Sequence, residues 1–179
     1  DSQKYVPEFL DDIIEKNLNC INFIKTPNNY LPLFNGATSV NLSQYEKYQE
    51  NLKINNKNNT LGGLFKIKHK NHFVLIDIDS PPQKKFSKSY QSGPLSFEYF
   101  LDGEKIITNS GFSINIAKRA EFLSRLTACQ STLTINETSI TKFEKNEMIN
   151  RIFGNSIQNS FKSSGVTPKN EDNCIGCSA

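Results

Sequence analysis

Few side chains in this chain of 179 residues do chemistry by type alone, and spacing limits how far each can be taken. His69 and His72 are its two histidines. A catalytic zinc takes three protein ligands, whereas these two straddle an expected turn with no carboxylate at a motif spacing, so they read as exposed turn residues. Cys174-x-x-Cys177 has the spacing of a redox or metal pair. No second pair completes a four-ligand zinc site, and no strand-to-helix step surrounds it to activate a thiol, so it reads as part of a plain tail. Ser89, Ser92 and Ser96 lack a G-x-S-x-G frame, and the P-loop and dinucleotide fingerprints are absent. What remains suits anions and sugars. Arg125 could pair a carboxylate bidentately, or close an internal salt bridge to Glu121 or another local acid. Gln130 could hydrogen-bond a sugar but cannot exchange a proton near neutral pH; an ordinary strand-end amide is the other reading. Tyr90 and Tyr99 could stack on sugars, although Tyr99 sits in an apolar run that favours packing. Lys84, Lys85 and Lys88 surround Phe86 and Tyr90 in a loop that either attracts a polyanion or is simply solvated.

The core that must hold these groups is thin but adequate: 36% hydrophobic residues, with 13 Phe and 6 Tyr but no Trp, at a mean hydropathy of -0.50. The length suits one domain, or a small domain with part of another. Collagen-like, coiled-coil and wholly disordered chains are excluded by the mix. No apolar run approaches the roughly 20 residues of a membrane span. No basic-then-apolar leader with a small-residue cleavage site is visible in this chain, and a start on Asp1 suggests a fragment or processed product. With 21 basic against 18 acidic residues and a pI near 8.6, the chain falls short of the pI of about 9 expected for a nucleic-acid domain. Nucleic acid is therefore not an expected partner. Four cysteines at this length do not form a disulfide framework.

The pattern changes along the chain. Phe9, Leu10, Ile13, Ile14, Leu18 and Ile21 recur at helical spacing, with Asp11, Asp12, Glu15 and Lys16 on the other face, which predicts a helix over 5–23. Pro27-Asn28-Asn29 ends it, and a turn-bearing loop follows through Ala37. Asn41 or Ser43 can cap a second helix through Leu52, packed by Tyr45 and Tyr48; a polar, Asn-rich linker fills 55–60. From 64 the period becomes that of strands. Phe65 and Ile67 alternate with Lys66, Lys68 and Lys70, one wet face, and Lys70-Asn71 turns into a buried-looking strand over 72–78. Asp102-Gly103, flanked by strands at 94–101 and 104–109, is the strongest hairpin signal. A short helix is expected over 117–126, a further strand over 132–136, and poor order beyond Ser160. Helices first and antiparallel strands after point to an α region joined to a β-sandwich. The strands are fewer than a complete sandwich takes.

One ordered series is more specific. Leu95-Ser96-Phe97-Glu98, then Asp102-Gly103, Asn109-Ser110-Gly111, Arg125 and Gln130-Ser131-Thr132-Leu133 follow one another. The series resembles the start of the C-terminal β-sandwich of heparinase II/III-like proteins, a polysaccharide lyase family. There an L-S-F-E strand leads through a D-G hairpin to a strand ending in D/N-x-G, and an Arg precedes an H-S/N-T strand. Leu31-Pro32-Leu33-Phe34-Asn35-Gly36-Ala37 resembles the loop leaving the family's helical toroid. The resemblance covers about 30–160.

It implies an α+β fragment: residues 1–58 a helical segment and linker ending an α/α toroid, 59–162 the N-terminal part of the β-sandwich, and 163–179 a polar, poorly ordered tail. The rest of the polypeptide is expected upstream and downstream. The implied activity is that of a carbon–oxygen lyase cleaving an acidic, uronate-containing polysaccharide by β-elimination in the cell envelope or periplasm. A proton leaves C5 of a neutralised uronate, a Tyr or His takes it, and an acid protonates the departing 4-oxygen. The family's catalytic Tyr belongs to the toroid. Its sandwich His falls on Gln130 here, leaving Arg125, Gln130 and Tyr90 as the substrate-binding candidates. Some members hold a structural metal through a His ahead of the L-S-F strand and an Asp at the end of the next. The matching Ser92-Gly93 and Asn109 are poor ligands, so no metal or cofactor is expected. The competing expectation is a non-catalytic carbohydrate-binding or envelope-structural module, which Gln130 and Asn109 favour.

Overall fold

The structure is a computed structural model and describes residues 7–49, 60–114, 116–154, 156–159, 161–162, 167–171 and 174–178. Helix α1, Glu8–Ile24, follows Pro7 and stops before Pro27, with Lys25 N–H closing on the Ile21 carbonyl at 2.8 Å. It rests on the rest of the molecule by its last turn, where Phe23 is fully buried, while Phe9, Ile13 and Ile14 near its start are exposed. Helix α2, Ser43–Gln49, is entered through the Asn41 side chain, whose Oδ1 accepts from Ser43 N–H at 2.8 Å. Lys25 and Asn29 both reach its Glu46, at 2.8 and 3.1 Å, and fix it beside the end of α1. Leu52, the expected end of this helix, and the Tyr48 side chain lie outside the described residues.

Five strands follow: β1 Thr60–Leu61, β2 Leu64–His69, β3 His72–Asp77, β4 Phe97–Leu101 and β5 Glu104–Ile107. They form one antiparallel sheet in sequence order. The two expected hairpins are present. Lys70 turns at φ 52°, and Asp102 and Gly103 both carry positive φ, the requirement of a two-residue turn matched to strand twist. Asn71 Nδ2 donates to Asp102 Oδ1 at 2.9 Å and ties the two turns together.

Register decides which face is buried. Lys66 lies opposite Leu75 and Lys68 opposite Phe73, so Phe73, Leu75 and Phe100 share a face with those lysines. That face meets Phe23 of α1 and Phe34 of the following loop to form the main core. Phe73 and Phe100 pack edge to face at 5.7 Å. Each such side chain taken from water contributes roughly 1.5–3 kcal/mol.

Beyond β5 the chain wraps back over the loop between β3 and β4. Helix α3, Lys118–Ser124, occupies the expected place. Phe122 and Leu126 pack on Tyr90, Phe143 and Ile157 in a second cluster. The strand expected over 132–136 does not form. Asn136 and Glu137 both take positive φ, and the segment makes a tight turn bridged Ile135 to Thr138, with Leu133 and Ile135 exposed. A β-branched sequence makes a strand only where a neighbour offers a free edge. Helix α4, Glu147–Phe153, was not expected from the pattern. Asn146 Oδ1 caps it by accepting from Met148 and Ile149 N–H, and Gly154 ends it at φ 69°. The segment expected to be a polar tail holds, among its described residues, an antiparallel pair, β6 Thr167–Glu171 and β7 Cys174–Ser178. The Cys174 and Cys177 side chains lie outside the described residues.

Candidate functional site

Strand β3 alternates inward through Phe73 and Leu75, and the next inward position is Asp77. Its backbone is held at both ends by the loop before β4: Asp77 N–H donates to Ser96 O at 2.9 Å, and Leu95 N–H to Asp77 O at 3.0 Å. Its carboxylate accepts from Asn35 Nδ2 at 2.9 Å and from Asp79 N–H at 3.3 Å. Asn35 reaches it because the loop after α1 turns sharply, with positive φ at Asn35 and Gly36. Between that loop and the end of β3 lies a cleft of about 430 Å³, bordered by Phe34, Asn35, Asp77, Asp79, Ser89 and Tyr90. Gly36 packs closely on Ser89 beside it: a Cβ there would sit 2.7 Å from Ser89 Cβ.

Burial governs the electrostatics. Asp77 is 5% exposed. Desolvation pushes its carboxyl up to about 6, against the opposing hydrogen bond from Asn35. Burial, followed by the charge of Asp77, pushes the Tyr90 phenol above its ordinary range. Asp77 therefore sheds much of its charge in mildly acidic solution, while Tyr90 stays a neutral phenol.

Behind the cleft, buried polar groups join four distant segments. Gln91 Nε2 donates to Gly111 O at 3.0 Å and Ser124 O at 2.8 Å, and Gln91 Oε1 accepts from Gly36 N–H at 3.0 Å. Gln130 Nε2 donates to the same Ser124 O at 2.8 Å. Asn109 Oδ1 accepts from Ser131 N–H at 2.9 Å. Ser92 Oγ meets Thr127 Oγ1 at 2.9 Å and accepts from Thr141 N–H at 2.9 Å. Arg125 is fully buried: Nε donates to Tyr90 O at 2.9 Å, Nη2 to Ser87 O at 2.8 Å, and the guanidinium lies 4.1 Å from the centre of the Phe143 ring. Burial lowers it to about 10, with Glu121 opposing, so it stays charged at neutral pH.

Of the candidate residues, Tyr90 is brought to the cleft, with 4% exposure, and its backbone carbonyl is the acceptor of Arg125. The Arg125 guanidinium is turned inward, and Gln130 lies on the far side of the Ser124 carbonyl with its amide engaged. Tyr99 stacks on His72 at 5.9 Å. Lys84, Lys85 and Lys88 are exposed; Lys84 lies 3.8 Å from Glu144 and Lys85 over the Phe86 ring. Asp77 and Gln91 are site residues not singled out from the sequence. Asp77 had a signal, since period 2 from Phe73 and Leu75 reaches it. Gln91 had none, because its partners lie 20 to 55 positions away.

The polar cluster also tests the metal that some members hold. The oxygens of Gln91 and Asn109 are committed to backbone N–H donors, their nitrogens cannot ligate, and Ser92 is engaged on both sides. Among the described residues no three His, Cys, Asp or Glu side chains gather where an ion could sit. These neutral amides and hydroxyls, with their oxygens already engaged and Asn109 Nδ2 buried without a partner among the described residues, do not fit a metal.

Residues 56–174 match the family model described as heparinase II/III-like, C-terminal. A heparinase III gene product is similar in structure over 77% of this chain and 26% of its own, at 17% identity and a TM-score of 0.58. The heparan sulfate lyase HepC from Pedobacter heparinus is similar over 78% of this chain and 27% of its own, at 16% identity and a TM-score of 0.57. A further heparinase III gives 79%, 29%, 15% and 0.54 in the same terms. The chain thus spans between a quarter and a third of the length of these proteins. No curated protein matches the chain. Among the described residues no helix is long and apolar enough to cross a membrane. With the matched segment running from β1 through the whole sheet and the polar cluster behind it, the chain belongs to the heparinase II/III-like C-terminal family.

Proposed function

We propose that this chain is the seam of a polysaccharide lyase that cleaves acidic, uronate-containing glycans by β-elimination. In this reading residues 1–58 end a helical toroid, 59–162 begin the sandwich, and 163–179 trail beyond it. Upstream and downstream parts complete an enzyme of the cell envelope or periplasm. The observation that carries the reading is the cleft where the loop after α1 meets the end of β3, at the join between helical and sheet parts.

The residues on this wall assign it a binding and shaping role. The titratable groups bordering the cleft are Asp77, Asp79 and Tyr90. Tyr90 is buried and resists ionisation, so it is a poor base. Asp77 loses charge near pH 6, which reduces its repulsion of a uronate carboxylate, and in its protonated form it can donate to one. The base that takes the C5 proton and the acid that serves the 4-oxygen then come from toroid helices outside this chain.

A second reading, a carbohydrate-binding module without chemistry, is favoured by Gln130. It stands where the resembling family has a His, and its amide is engaged on Ser124 O. The full-length protein incubated with a panel of uronate polymers separates the two. A lyase raises absorbance in the unsaturated-uronate band with at least one polymer. Binding without any such rise leaves the module.

A further inference from the structure

At the far end of β3 from the cleft lies a second groove, of about 440 Å³, between the end of α1, the lysines of β2 and the two hairpin turns. His72 and Asp77 mark the two ends, and the five residue steps between them span roughly 17 Å. Four lysines line this groove, Lys25, Lys66, Lys68 and Lys70, against one carboxylate, Asp102.

An amphipathic strand ordinarily turns its charges away from the core. Here register puts Lys66 and Lys68 on the same face as Leu75 and Phe73, so their ammonium groups converge with the end of α1. Lys66 Nζ lies 4.3 Å from the centre of the Phe23 ring and donates to Phe23 O at 3.2 Å, which roots one charge in the wall. Lys25 is held by Glu46. Asp102 accepts from Asn71 at the mouth. Among the described residues Lys68 and Lys70 have no ion pair. Burial, and secondarily the neighbouring charge of Lys68, lowers Lys66.

We infer that this groove is a second binding site for the sulfate or carboxylate groups of an acidic glycan, separate from the cleft. Lysines act as point charges on flexible stems and suit anions spaced along a chain, where a fixed bidentate geometry is not needed. A nucleic acid would want open aromatic faces for its bases; Phe73 is buried and Tyr99 is covered by His72. The inference shares its ligand class with the proposed function but needs no catalysis.

Calorimetric titration of this chain at low salt tests it, with a heparan sulfate octasaccharide, a neutral dextran octasaccharide, inorganic sulfate and a single-stranded oligonucleotide as probes. The heparan octasaccharide is expected to bind, to weaken as salt rises, and to bind about ten-fold more weakly to Lys68→Ala/Lys70→Ala. Both positions are exposed, so an unchanged melting temperature is expected and certifies the fold. Unchanged affinity in the double lysine variant overturns the site. Equal binding of dextran or inorganic sulfate overturns the acidic-glycan assignment, as does tighter binding of the oligonucleotide. Absence of β-elimination by the full-length protein, alongside lysine-dependent binding, sinks the lyase reading and leaves this site standing.

Discussion

Gln91 and Gln130 donate their side-chain amides to one acceptor, the Ser124 carbonyl, each at 2.8 Å. Thirty-nine positions apart in sequence, they meet at the end of α3 and clamp it against the loop after β5 at Gly111 and the loop at Gly36. The two amides are not equivalent, and their difference can be measured.

Gln91→Leu strands Gly36 N–H, leaves Gly111 O with Ser110 Oγ alone, and loses its bond to Ser124 O. It is expected to cost about 3 kcal/mol or more, since each buried unsatisfied group costs about 1–3 kcal/mol. Gln130→Leu loses one bond while Ser124 O keeps Gln91, so about 1 kcal/mol is expected. Urea unfolding of both variants checks the order, and equal losses would contradict the shared-acceptor arrangement.

Asp77 makes stability depend on pH with a definite sign. Its carboxyl rises from 3.8 to about 6 on folding, so the stability it contributes is complete below 3.8 and is lost as pH climbs through about 6. The size is on the order of 3 kcal/mol. Asp77→Asn removes this component. The difference between wild-type and variant unfolding free energies should therefore shift across that window and stay level above and below it.

Arg125 binds two carbonyls in a buried place. Arg125→Ala is expected to cost about 3–5 kcal/mol, since it removes two buried hydrogen bonds made by a charged group, worth about 1.5–3 kcal/mol each. Arg125→Lys should recover little, because an ammonium cannot reproduce the planar fork or its stacking on Phe143. Thermal melts of both variants test this; full recovery by lysine would mean that charge alone matters.

Gly36 combines φ 93° with a close approach to Ser89. Gly36→Ala meets two penalties, a left-handed backbone costing about 1–2 kcal/mol and the clash with Ser89. Ser89→Gly should relieve the second and not the first. A double-mutant cycle is expected to show partial recovery.

How much of this was legible in the sequence follows the range of the forces. The helix over α1, the strands β2 to β5 and the Asp102-Gly103 turn depend on local period and local φ, and they stand where the pattern puts them. Helix α4 escaped because it is only seven residues long and is held by a cap rather than by an apolar stripe. The 132–136 segment has strand-forming residues, but strand formation needs an edge that the fold does not place there.

The site divides the same way. Sequence by itself determined the helix-then-sheet order, the family resemblance and the absence of an imidazole at Gln130. Tertiary structure alone decided that Arg125 turns inward, that two glutamines share one carbonyl, and that the lysines of β2 face α1 beside the core. Alternation along a strand states that two faces differ. Which neighbour covers each face, and which distant carbonyl an amide finds, is settled only when segments far apart in sequence are packed together.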